Sequence, residues 1–120
     1  MAKVLLIENE EILREIVLNI LNSNGLKAIG TGDSRRGLQL AKELIPDLIL
    51  CEARMPELDG YQFLGALRQD PSTSNIPFLL ITAENSPNVM RQGQLLGASG
   101  YILKPFNTAQ LLETIYLHLS

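Results

Sequence analysis

At 120 residues and 46% hydrophobic content, the chain has the length of one domain and the material for a sizeable core. Its formal charge of -3 and scattered Lys and Arg exclude a nucleic-acid surface, which needs a basic stripe. No apolar run approaches the ~18 residues of a membrane span and no signal peptide opens the chain, so a cytoplasmic setting is expected.

The first strand is the continuous apolar run Val4-Leu5-Leu6-Ile7, as expected of a strand buried on both faces. Ile12, Leu13, Ile16, Val17, Ile20 and Leu21 recur at helical spacing and predict one core-facing stripe, closed by Asn24-Gly25. Leu26-Lys27-Ala28-Ile29 reads as a short second strand near an edge, because a lysine interrupts it. Asp33-Ser34 offers a helix cap, Leu38, Ala41, Leu44 and Ile45 form the next stripe, and Pro46 stops it. Arg35-Arg36, the one adjacent basic pair, reads as a solvated helix face.

Strand three is Leu48 to Glu52, and Asp59 caps a helix whose apolar positions are Phe63, Leu64 and Leu67. Cys51 cannot form an internal disulfide and sits in an apolar run, where a small buried hydrophobe is expected. A nucleophilic thiol would want a histidine, and His118 lies near the far terminus. The polar stretch Asp70 to Asn75 leads into strand four, Phe78 to Thr82. Ser86-Pro87 opens a fourth helix that Gly93 weakens and Gly97 ends. Strand five is Tyr101-Ile102-Leu103, and a last helix runs from about Thr108 to Leu119.

Strict βα alternation predicts an α/β fold: a doubly wound, five-stranded parallel sheet with five helices, one domain over residues 1–120. In such sheets the binding crevice lies beyond the carboxyl ends of the strands. There stand Glu8, Asn9, Glu10 and Glu11, then Glu52, Thr82 and Lys104. Glu10 and Glu11 have a bland reading as acids in a first helical turn. Glu8 and Glu52 end apolar strands, where a carboxylate needs a partner; Lys104 could neutralise them in a structural ion pair.

Four segments carry a family resemblance: Lys3 to Glu10, Pro46 to Glu52 with Met55-Pro56 and Leu58-Asp59-Gly60, Ile81-Thr82-Ala83, and Gly97 to Phe106. Together they resemble the receiver domain of two-component response regulators, of the single-domain chemotaxis-regulator type. The resemblance implies flavodoxin-like strand order 2-1-3-4-5 and a phospho-acceptor position at Glu52, an acidic pocket at Glu8 and Asn9, switch residues Thr82 and Tyr101, and the pocket cation Lys104. The departures fall on the chemistry. The family has aspartate at the Glu52 position and an acid at the Asn9 position, and Glu8 is one methylene longer than usual.

The reading that follows is an atypical, non-enzymatic receiver, a protein-interaction module not phosphorylated. A low-efficiency phosphoreceiver using Glu52 is the alternative, and a flavodoxin-like enzyme or flavin carrier a distant one, because Glu8 to Glu11 would repel a phosphate. No cofactor is expected, beyond weak Mg²⁺ binding at best from Glu8, Asn9, Glu52 and a carbonyl near Arg54. The resemblance implies signalling partners, a histidine kinase or an output protein. They would meet the face of the fourth helix, fifth strand and fifth helix, including Met90, Gln94, Tyr101, Asn107 and Gln110; a dimer is compatible with it. For the resting state two arrangements stand open. Either Thr82 reaches Glu52 with Tyr101 turned inward, or Lys104 alone satisfies Glu52.

Overall fold

The computed structural model describes residues 1–119. Strands β1 (Lys3–Ile7), β2 (Lys27–Thr31), β3 (Leu48–Glu52), β4 (Phe78–Thr82) and β5 (Gly100–Leu103) alternate with helices α1 (Glu11–Ser23), α2 (Ser34–Leu44), α3 (Gly60–Gln69), α4 (Pro87–Leu95) and α5 (Thr108–His118). Every strand pairing is parallel, in the expected order β2-β1-β3-β4-β5.

Strand alternation splits the core into two layers. Val4 and Leu6, Leu48 and Leu50, Leu79 and Ile81, and Ile102 face Val17 and Leu21 of α1 and Leu111 and Ile115 of α5. Leu5 and Ile7, Ile49 and Cys51, and Phe78 and Leu80 face Ala41 of α2 and Phe63, Leu64 and Leu67 of α3. The helix α4 lies on this second side, where a Cβ at Gly93 would stand 2.9 Å from Leu80 Cδ1. Gly93 is the one residue of α4 that is fully buried, so the glycine that weakens the helix is also what lets it approach the sheet.

Three expectations need correction. The α1 stripe is not a single core face: Val17 and Leu21 are buried, but Ile12 is 74% and Ile16 50% exposed. Periodicity reports which residues share a face, not whether anything covers it. Ile45 is not a core position of α2; it is the C-cap, in the left-handed conformation at φ 43, and exposed. A residue before proline is disfavoured in the right-handed helical region, and here the chain turns out one residue before Pro46. The second strand runs to Thr31 rather than stopping at Ile29, paired along its whole length with β1.

Candidate functional site

Alternation also decides what meets at the strand ends. Glu52 continues the Leu48 and Leu50 side of β3, and Glu8 follows β1 on the Val4 and Leu6 side. Lys104 follows β5 on the side of Ile102. All three therefore point to the α1/α5 side, and they converge. Lys104 Nζ lies 3.2 Å from Glu8 Oε1 and in direct contact with Glu52 Oε2. Glu8 is 1% and Glu52 7% exposed, and the two oxygens that face Nζ are sealed from solvent.

Local structure holds the pair in place. Glu8 Oε2 accepts the Glu10 N–H at 3.1 Å, and the Arg14 guanidinium donates to the Glu8 carbonyl at 2.8 Å. Behind Glu52, Gly60 opens α3 so closely that a Cβ there would lie 2.7 Å from the Glu52 carbonyl oxygen. Just past β5, the Lys104 N–H donates to the Thr82 carbonyl at 2.8 Å, which fixes the root of the lysine side chain.

Burial pushes the Glu52 carboxyl above its ordinary value; contact with Lys104 pulls it back and the Glu8 charge pushes it up again. Lys104 is held above the ordinary lysine value: burial lowers it, and contact with Glu52, then Glu8, more than offsets that. One ammonium thus serves two buried acids. The Cys51 thiol is pushed well up, first by burial and then by the Glu52 charge, in keeping with a buried hydrophobe rather than a nucleophile. His118 contacts the Thr114 and Ser99 carbonyls at the opposite end of the sheet.

The residues expected to act as a switch, Thr82 and Tyr101, sit on the other side. Thr82 continues the Phe78 and Leu80 side of β4, and Tyr101, registered with Leu80, packs half-buried against that same cluster. Thr82 Oγ1 accepts the Glu84 N–H at 3.0 Å and makes no hydrogen bond to Glu52 among the described residues. Of the two resting arrangements, the geometry matches the second: Lys104 holds Glu52.

Asn9 is exposed and joins none of these contacts. Among the described residues no three or more His, Cys, Asp and Glu side chains converge as a metal site, and the two acids that meet hold an ammonium between them. An Mg²⁺ ion, usually held by one or two carboxylates and several waters, would have to compete with that ammonium for the same oxygens. Asn107 and Gln110, expected on a partner face, are exposed but spend their polar groups on each other in a capping box at the start of α5.

Two features escaped the sequence reading. Arg54 and Glu84 form an ion pair across the mouth of the crevice, each two residues beyond the last residue of its strand, β3 or β4. That shared offset was a usable signal. The Arg14 contact with Glu8 had none, because it depends on where α1 crosses the end of β2.

With this geometry in place, comparison with known proteins is specific. Residues 4–116 match the family described as the response regulator receiver domain. The phosphate regulon transcriptional regulatory protein PhoB of Klebsiella pneumoniae is 32% identical over 113 residues, 94% of this chain and 49% of PhoB. The chain thus spans about half the length of that relative. The polar-differentiation response regulator DivK of Brucella anthropi is 30% identical over 119 residues, 97% of this chain and 94% of DivK. The chemotaxis protein CheY4 of Vibrio cholerae superposes with a TM-score of 0.95 at 33% identity, covering 99% of each chain. By sequence and by fold alike, the chain belongs to the response regulator receiver domain family.

Proposed function

We propose that this receiver, one domain over residues 1–120, is an atypical one: a cytoplasmic protein-interaction switch in two-component signalling that works without phosphorylation or catalysis of its own. The reading rests on Glu52, which we assign to the phospho-acceptor position and which is buried and ion-paired to Lys104 together with Glu8. Phosphoryl transfer is mainly positioning and electrostatics around an in-line nucleophile. The extra methylene shifts the carboxylate by roughly 1.5 Å, and a misplacement of about 1 Å can cost about a hundredfold in rate.

Lys104, which could steady incoming phosphoryl oxygens, is already committed to two carboxylates. We assign no cofactor, with Mg²⁺ binding no tighter than the millimolar range. Histidine kinases or output proteins are the partners we assign, met by the face of α4, β5 and α5 around Met90, Gln94 and Tyr101. The likeness to CheY4, a chemotaxis response regulator, and DivK, a polar-differentiation response regulator, both matched along nearly their whole length, supports a signalling role.

The test is intact-mass measurement after treatment with acetyl phosphate and millimolar Mg²⁺. The wild-type chain is expected to show no adduct over minutes. The variant carrying Glu52→Asp and Asn9→Asp, run beside it, is expected to label. A wild-type phosphoryl adduct that disappears in Glu52→Gln would establish the low-efficiency phosphoreceiver instead.

A further inference from the structure

The strand β2 ends the sheet, paired with β1 on one side only. Two hydrogen bonds fix which of its backbone groups face that partner. The Lys27 N–H donates to the Ala2 carbonyl at 2.8 Å, and the Thr31 carbonyl accepts the Glu8 N–H at 3.0 Å. Lys27 and Thr31 therefore turn their peptide groups toward β1. Alternation along the strand does the same for Ile29 and turns Ala28 and Gly30 outward. A free row of outward N–H and C=O groups is a template for another strand.

Here the row is interrupted by a side chain. Asn22, exposed in the last turn of α1, reaches across to Ala28. Its Oδ1 accepts the Ala28 N–H at 2.9 Å, and its Nδ2 donates to the Ala28 carbonyl at 3.4 Å. One side-chain amide thus meets both backbone groups of one residue. That is the double exchange a residue on an antiparallel neighbour makes with the residue opposite it.

Stripped of this amide, the segment is complementary to itself. Two copies set antiparallel about Ile29 would place Ala28 opposite Gly30, Ile29 opposite Ile29 and Lys27 opposite Thr31, so that no like charges meet. Ala28 and Gly30 would exchange backbone hydrogen bonds, and Ile29, 36% exposed, would meet its twin at the close spacing of a non-hydrogen-bonded pair. Every hydrogen-bonded pair in that arrangement uses an Ala28. One amide per chain is enough to block them all.

We propose that Asn22 is an edge cap: it stands in for the missing neighbour of β2 and keeps this rim closed to the β2 strand of a second copy of the chain. The rim lies at the opposite end of the sheet from β5, where partners are assigned above. The cap therefore shuts off self-pairing without covering the partner face.

Sedimentation velocity over a concentration series and amide hydrogen exchange test this together. In the wild-type chain the Ala28 amide is expected to exchange about tenfold more slowly than that of Gly30, after correction for intrinsic rates, because one faces Asn22 and the other water. Asn22→Ala is expected to erase that difference at low concentration and to associate more strongly than wild type as concentration rises. Adding Ile29→Lys to Asn22→Ala, which sets like charges opposite each other in the paired form, is expected to return association to the wild-type level. Association of Asn22→Ala no stronger than wild type, or association that Ile29→Lys leaves in place, would overturn the proposal. So would an Ala28 amide that exchanges as fast as Gly30 in the wild-type chain, a reading that needs no variant to fold.

Discussion

Glu52 carries a charge into a place from which water is nearly excluded, and its behaviour with pH follows from that. The folded state holds the Glu52 proton more tightly than the unfolded chain, whose ordinary carboxyl value is 4.5. As pH rises from 4.5, the unfolded chain ionises freely while the folded one resists, so the Glu52 contribution to stability falls until its folded value is passed. Each unit between the two values corresponds to about 1.4 kcal/mol. Lys104 has the same sign at the alkaline end: its contribution is complete below the ordinary 10.5 and is lost as pH climbs through its raised folded value. Thermal melts of Glu52→Gln and wild type across pH should therefore show the variant gaining on the wild type as pH rises above 4.5. A difference that stays flat or shrinks would mean that burial does not govern this carboxyl. The acids and the lysine were legible in the sequence because each stands at the end of an apolar strand. The orientation of Thr82 could have been read as well, since strand alternation sets it opposite to Glu52.

At the scale of single elements, α3 shows how closely the scaffold is fitted to the site. Gly60, at its first turn, lies against backbone atoms of Glu52 and Ala53, which cannot step aside; Gly65, in its middle, has nothing within 4 Å of where a Cβ would stand. Gly60→Ala should destabilise by about 1–3 kcal/mol through overpacking. Gly65→Ala in the same helix should stabilise by up to about 1 kcal/mol, the helix preference of alanine over glycine. Denaturant midpoints of the two variants should move in opposite directions, and equal shifts would reject the close-approach argument. β1, β3 and β4 were readable because strands buried on both faces leave uninterrupted apolar runs. β2, at the sheet edge, was located but read two residues short, since a strand covered on one side has no such signature. The outer half of α1 was misread for a related reason: Ile12 and Ile16 look like core in sequence, and only the packed molecule shows nothing over them.

Across the whole molecule the sheet acts as a partition. The acid pair and Lys104 lie toward α1 and α5, whereas Thr82 and Tyr101 lie toward α3 and α4. The ion cluster also crosses the sheet sideways. Glu8 and Glu52 hang from β1 and β3, neighbours in the middle, but their counter-ion hangs from β5, at the rim. Proteins open in pieces, and edge elements detach most readily. If β5 peeled away here, it would take the one ammonium that, among the described residues, contacts the two acids and leave them facing each other, which resists the peeling. Amide hydrogen exchange should register this as unusual protection at Ile102 and Leu103 for an edge strand. Lys104→Met should speed exchange in β5 and α5 well before β1 and β3 respond. The rim of the sheet is thus locked by a charge whose partners sit at its centre.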